Sequence, residues 1–255
     1  MENNTNTEQQ PQGKEVVITI KHLKKSFGKK EVLSDITMDL YKGENLVVLG
    51  KSGQGKSVTI KCMVGLIQQD AGELKVFGKD INSLPENEVK ELRKRIGFLF
   101  QSSALYDSMT VRENLEFPLK RILHINDKKE LDDRVKEMLE SVSLPDTAEK
   151  MPSELSGGMR KRIGLARTLI LKPEIMLYDE PTTGLDPITS KEISQLILSV
   201  QKKYGISSVI ITHDIACARI TANRVMVMNE GKFIVEGTIS DMENSSDQMI
   251  QSFFK

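Results

Sequence analysis

Residues 45–60 read NLVVLGKSGQGKSVTI: an apolar run of strand length, a glycine-rich turn, then a segment of helical character. The turn Gly50-Lys51-Ser52-Gly53-Gln54-Gly55-Lys56-Ser57 fits the pattern G-x-x-x-x-G-K-[ST] in the strand, loop and helix setting that the pattern requires. Its glycines let backbone N–H groups curl around a β-phosphate, and the positive end of the new helix points at the same place. Lys56 puts a cation on the β and γ oxygens, while the hydroxyl oxygen of Ser57 is a ligand for Mg2+. Gly50, Ser52, Gly53, Gln54, Gly55, Lys56, Ser57 and Val58 are therefore the expected nucleotide contacts. No N-K-x-D segment is present to read a guanine base. ATP with Mg2+ is the expected ligand.

Working outward, other short β-branched runs alternate with helical patterns: VVITI (16–20), ELKVF (73–77), IGFLF (96–100), EIMLY (174–178), SVIIT (208–212), RVMVM (224–228) and KFIVE (232–236). This predicts an α/β fold, a P-loop core on a mostly parallel sheet. Runs 45–49, 174–178 and 208–212 are nearly continuously apolar, as strands covered on both faces should be. Runs 16–20 and 73–77 alternate with turns such as FGK and AGE and predict an antiparallel side sheet. Between about Glu86 and Leu171 the texture turns to charged helical repeats, with Leu131, Val135, Met138, Leu139 and Val142 at helical spacing. The resulting organisation is a polar tail (1–14), a main domain (15–240) with a helical subdomain inserted at about 86–171, and a short C-terminal helical tail (241–255). A small helical latch is expected from Ser245 to Phe254.

Composition narrows the partners. Lys+Arg and Asp+Glu both number 36, so no global basic field draws nucleic acid, and none is expected as a partner. The longest stretch without a charged side chain, Ile96 to Tyr106, is far shorter than the ~20 apolar residues of a membrane-spanning helix. The opening MENNTNTEQQPQGKE lacks the apolar core of a secretory signal and predicts a disordered tail on a cytoplasmic protein. Cys62 and Cys217, both in apolar stretches, are expected as buried reduced thiols. His22, His124 and His213 have no metal-ligand spacing.

A second acidic element follows the run 174–178. Asp179 and Glu180 stand at the C-terminal edge of a buried strand, where open α/β sheets place ligands. Successive strand residues point to opposite sides, so the two acids divide the work. Asp179 is assigned to the Mg2+ shell, and Glu180, stepping off the strand end, to the attacking water. His213 follows SVIIT in the same way and is expected at the γ-phosphate. Lys56, Glu180 and His213 form the expected catalytic set; His22 and His124 are read as surface or packing residues.

Leu155-Ser156-Gly157-Gly158-Met159, directly before the helix RKRIGLARTLIL, resembles the signature of ABC-type ATPases, and the resemblance covers everything after the N-terminal tail. It implies that Phe27 of SFGKK stacks on adenine and that Gln101 of FLFQ joins the Mg2+ shell to a membrane partner. It further implies that Asp186 of TTGLDP lies in the loop crossing a dimer interface, and that His213 is the switch histidine. Ser156, Gly157 and Gly158 leave N–H groups at a helix N-terminus, a second anion site. The family arrangement makes that site serve the ATP of a second copy, in a head-to-tail homodimer with two composite sites. Met159 stands where many relatives have Gln. The basic run Arg160, Lys161 and Arg162 reads as a solvated helix face.

The LSGGM form, the stretch FQSSALYDSMTVRENLEFPL and the ending SSDQMIQSFF are together similar to the ATPase subunits of Mla-type (MCE-associated) lipid transporters. That resemblance implies ATP hydrolysis coupled to an integral membrane permease, phospholipid cargo, an MCE lipid-binding protein reached through the permease, and a peripheral place on the inner face of the membrane. The permease contact is expected after Gln101, at Ala104, Leu105 and Tyr106. The competing readings are an ABC importer or exporter ATPase for another substrate, a soluble ABC ATPase that remodels protein or nucleic-acid complexes, and a P-loop kinase. The last leaves Ser156 to Gly158 and Asp186 without a role.

Overall fold

A computed structural model describes residues 13–254; the expected tail, apart from its last two residues, lies outside the described residues. Strand β3 (Asn45–Leu49) is central to the core sheet. Both its neighbours, β8 (Ser207–Thr212) and β9 (Arg224–Asn229), run parallel to it. Beyond β8 lie β7 (Ile175–Asp179) and the edge strand β6 (Ile96–Leu99), also parallel. Every residue of β3, β7 and β8 is buried, as their nearly continuous apolar character predicts.

The side sheet is antiparallel: β1 (Val16–Phe27) pairs with β2 (Lys30–Tyr41) and with β4 (Ala71–Val76), which carries the short β5 (Lys79–Asp80). The hairpin partner β2 is not among the expected strands. Its pairing with β1 shifts register four times; the bulges on its own side fall between Glu31 and Ile36 and break the period of two there, while Ile36, Met38 and Leu40 alternate cleanly inward, a signal the sequence reading passed over. Strand β10 (Lys232–Gly237) is antiparallel to β9 and joins the two sheets through one parallel pair, Lys232 opposite Asp35.

Alternation sorts the core into two layers. Val47, Leu49, Met176, Tyr178 and Ile210 face the helices. Leu46, Val48, Ile175, Leu177, Val209 and Ile211 face the side sheet and α1 (Lys56–Met63). The helical side comprises α3 (Val111–Ile122), α4 (Lys128–Ser141), α5 (Gly157–Leu169), α6 (Pro187–Tyr204) and α7 (Ile215–Thr221). Helix α3 starts with a capping box: Thr110 Oγ1 accepts from the Glu113 N–H and the Glu113 carboxylate accepts from the Thr110 N–H. On α4 the buried residues Leu131, Val135, Met138 and Leu139 are those that helical spacing selects.

One correction concerns the insertion. Between α2 (Glu86–Lys94) and α3 the chain returns to the core sheet as β6, so the helical part begins only after Leu99. Gly97 makes that edge pairing possible: a Cβ there would lie 2.3 Å from Met176 Sδ and 2.6 Å from Thr168 Cγ2. The C-terminal segment forms α8 (Ile239–Glu243) and α9 (Gln248–Phe254), with Ile250 buried and Phe253 and Phe254 against the helical-side core.

Candidate functional site

The phosphate loop leaves β3 at Gly50, where a Cβ would come within 2.8 Å of the Met228 carbonyl oxygen. At the other end Gly55 (φ 103) caps α1, and a Cβ would meet Leu33 Cδ2 at 2.6 Å and Val32 O at 2.9 Å. Both positions require glycine, one for close approach and the other for that and a left-handed backbone. Lys56, 5% exposed, donates to Gly50 O at 2.6 Å and Lys51 O at 3.1 Å. The loop borders a cavity of about 620 Å3 whose lining includes Ser52, Gly53, Gly55, Lys56, Ser57 and Val58. Gln54 points elsewhere: its Oε1 accepts from the Glu230 N–H and ties the loop to the β9–β10 turn.

Four distant stretches complete the cavity: Gln101 after β6, Glu180 and Thr183 after β7, His213 after β8, and Val32 from β2. Asp179 ends β7, and its Oδ1 accepts from Ser57 Oγ at 2.9 Å. Glu180 steps off the strand with φ 50, a left-handed conformation costly for a residue with a side chain. Its Oε1 lies 3.5 Å from Lys56 Nζ, and its Oε2 lies 2.8 Å from His213 Nδ1 and accepts from Thr183 Oγ1 at 3.2 Å. The hydroxyl of Ser57 and the carboxylate of Asp179 are hard oxygen donors, and Gln101 lines the same cavity. That set fits Mg2+, which keeps several waters and takes one or two protein oxygens plus phosphate. Among the described residues no cluster of three His, Cys, Asp or Glu could hold a metal by itself. Lys51, Thr183 and Val32 are lining residues that the sequence reading missed. The first two sit inside motif loops already singled out; Val32 belongs to the unread strand β2.

The remaining expected site residues lie elsewhere on the chain. Phe27 is 49% exposed at the end of β1, beneath Lys25 Nζ at 5.4 Å from its ring centroid, and does not line the cavity. Ser156 caps α5, its Oγ accepting from the Met159 N–H at 3.2 Å. Gly158 packs α5 onto the start of α6: a Cβ there would lie 2.4 Å from Thr189 Cγ2. Asp186 caps α6, accepting from the Ile188 and Thr189 N–H groups at 3.0 Å each and from the Thr189 hydroxyl. The Thr189 hydroxyl, then the backbone donors, hold its carboxyl below the usual range. Ser156, Gly157, Gly158 and Asp186 are thus gathered at neighbouring helix starts, outside the phosphate-loop cavity.

The basic run corrects an expectation. Arg160 pairs with Asp107 at 2.6 Å and Arg162 with Glu192 at 2.7 Å, but Lys161 is buried and donates to the Gln101 carbonyl oxygen. Burial pulls its amine below the ordinary value, and the Asp179 and Glu180 carboxylates oppose that shift. Met159 packs against the helical-side core. The expected permease contact also divides. Leu105 packs against that core, while Tyr106, 44% exposed, stands in a groove of about 260 Å3 with Phe98, Phe117 and Arg167. There Tyr106 meets Phe117 at 5.0 Å and carries the Arg167 guanidinium over its ring at 5.2 Å.

Comparison with known proteins agrees with this arrangement. Residues 33–183 match the family model described as ABC transporter. The chain is 39% identical over 225 residues to the methionine import ATP-binding protein MetN of Rhizobium johnstonii, covering 88% of this chain and 62% of that relative. It is 38% identical over 239 residues to the probable ribonucleotide transport ATP-binding protein mkl of Mycobacterium leprae, covering 93% and 68%. The chain therefore spans about two thirds of the length of these relatives. Among solved structures, the dimeric ATP-binding cassette MJ0796 in a post-hydrolysis state with ADP and Pi superposes with TM-score 0.79 at 30% identity, over 87% of this chain and 98% of that one. The cbiO1 protein of Clostridium perfringens, part of an ABC transporter complex, gives TM-score 0.81 at 26% identity, over 94% and 99%. A phosphate loop on a buried parallel strand, the acids and histidine that meet it, and these likenesses together make the chain a member of the ABC transporter family, with that family's ATP-binding cassette fold.

Proposed function

We propose that this chain binds ATP with Mg2+, hydrolyses it to ADP and phosphate, and powers a separate membrane permease. The observation that carries the reading is the convergence of Lys56, Glu180 and His213 on one cavity, beside the Ser57–Asp179 oxygen pair. Lys56 and the loop amides hold the charge that grows on the transferred phosphoryl group; loss of one such donor costs roughly 3 to 4 kcal/mol in comparable sites. Glu180 takes the proton of the water that attacks the γ-phosphorus as the bond to the β-phosphate oxygen breaks. His213 and Thr183 orient that carboxylate. Ser57, Asp179 and Gln101 would hold Mg2+, which supplies charge neutralisation at the β and γ oxygens.

Ser156 to Gly158 and Asp186 lie away from the cavity of their own chain. This supports the head-to-tail homodimer, in which they meet the nucleotide of a second copy. Among the described residues no helix is long and apolar enough to cross a membrane; the family match supports a separate permease as the partner. The permease contact is read at Ala104, Leu105 and Tyr106, with the chain peripheral on the inner face of the membrane; the exposed Tyr106 ring in its groove with Phe117 supports that reading. For cargo we read phospholipid, delivered with an MCE lipid-binding protein. This rests on the LSGGM form, the stretch after Gln101 and the C-terminal ending. Methionine and ribonucleotides, named in the relatives' descriptions, are the competing cargoes.

Glu180→Gln is the test of the chemistry. ATP binding is retained, hydrolysis falls by at least about a hundredfold, and light scattering records an ATP-dependent dimer. Hydrolysis at the parent rate sinks the assignment of the base. For cargo, the complex purified from native membranes should contain an integral membrane partner with phospholipid by mass spectrometry. ATPase stimulation by methionine or a ribonucleotide, and not by phospholipid, overturns the lipid reading.

A further inference from the structure

Lys161 is the buried cation that the nucleotide chemistry above does not use. It is 6% exposed, between two arginines that reach carboxylates at the surface. Its own hydrogen-bond partner is a neutral group, the carbonyl oxygen of Gln101, sixty residues earlier in the chain. Burying an ammonium against a neutral acceptor is costly, and the Asp179 and Glu180 carboxylates offset only part of that cost.

A second contact reinforces the first. One turn along α5, a Cβ on Gly164 would lie 2.8 Å from Ser103 Cβ and 3.1 Å from Ser103 O, so the loop after Gln101 presses directly on the helix. In that loop Ser103 (φ 63) and Ala104 (φ 47) are consecutive non-glycine residues in the left-handed region, a strained conformation that surrounding contacts must hold. Helix α5 therefore grips the loop at two points, a charged hydrogen bond at Gln101 and a close contact at Ser103.

We propose that Lys161 is a positioning residue that ties the helix capped by Ser156 to the Gln101 loop, so that Gln101 keeps its place in the cavity it lines with Ser57 and displacement of α5 reaches it directly. The inference rests on the ATPase reading. It acts through Gln101 and does not require Lys161 to touch nucleotide.

The test compares Lys161→Met, which removes the donor and charge, with Lys161→Arg, which keeps both, in the full chain. Amide hydrogen exchange without nucleotide is read beside steady-state hydrolysis. Hydrogen bonds from charged groups are worth enough that K161M should exchange at least about tenfold faster across residues 102–106, with α1 unchanged within about twofold. The same variant should lose about tenfold in kcat with KM for ATP within about twofold, and K161R should restore both readouts to within about threefold. General loosening of the fold would instead accelerate exchange in α1 and raise KM. If K161M does not fold, Lys161→Gln, whose amide is too short for the carbonyl, takes its place with the same expectations. Parent-like exchange across 102–106 or a parent-like kcat overturns the proposal, as does failure of K161R to restore them. A parent protein that hydrolyses no ATP overturns the ATPase reading instead, and the exchange result then judges the tether alone.

Discussion

Glu180 shows how much of a site one residue's surroundings decide. Its identity and place after a buried strand are plain in the sequence, but the left-handed backbone that turns its carboxylate between Lys56 and His213 is not. Lys161 is the converse case: in the run Arg160-Lys161-Arg162 nothing local separates the buried amine from its half-buried, ion-paired neighbours. The two cysteines follow the sequence reading, since Cys62 and Cys217 are both buried free thiols. Burial pushes both up to about 11 from an ordinary value of 9.0. Native protein at pH 8 should therefore resist alkylation at both, and react fully once unfolded, as mass spectrometry of iodoacetamide-treated samples can check. The sign for stability follows. Above about pH 9 the unfolded thiols release protons that the folded ones keep to about 11, so urea stability should fall as pH rises through that window.

Among elements, the contact between the starts of α5 and α6 gives the sharpest contrast. A Cβ at Gly158 would lie 2.4 Å from Thr189 Cγ2, while at Gly157 the nearest atom is Leu185 Cδ2 at 3.6 Å, an ordinary contact. Thr189 cannot simply rotate away, because its hydroxyl bonds Asp186. Gly158→Ala should cost about 1 to 3 kcal/mol by urea denaturation. Gly157→Ala should be neutral or stabilising by up to about 1 kcal/mol, since alanine restricts the unfolded chain and favours the helix. Equal losses at the two positions would refute this packing. Elements with clean periods, such as α4 and β3, were legible in advance. Strand β2 was legible only in its second half, where Ile36, Met38 and Leu40 alternate inward; bulges between Glu31 and Ile36 break the pattern in the first half.

Across the whole molecule the two sheets meet at a narrow joint, one β2–β10 pair, where Ser34 of β2 donates to the Glu230 and Gly231 carbonyl oxygens and an arginine bridges the strands. Arg224 of β9 donates to Glu44 at 2.6 Å, to Glu236 at 2.5 Å and to the Asp39 carbonyl oxygen. Glu44 is 7% exposed and also accepts from the Tyr41 N–H. Arg224→Met would leave that carboxylate buried without its cation, and should cost roughly 3 kcal/mol. A urea midpoint within error of the parent would show that the joint does not depend on this bridge.

What the sequence determined alone is chemistry held in contiguous residues. Gly50 to Ser57 between a strand and a helix is enough to bind phosphate, because backbone N–H groups, one lysine and one hydroxyl within a single turn do the gripping. Nearly continuous apolar runs likewise set the buried strands. The motifs already grouped Lys56, Glu180 and His213, and Ser57 with Asp179; only the tertiary structure decided how their atoms meet and which unforeseen pairs form, Lys161 with Gln101 and Gln54 with Glu230. Those pairs are dictated by sheet order and by the packing of α5 on the Gln101 loop, where the cost of burying charge is settled between segments and leaves no local mark in either.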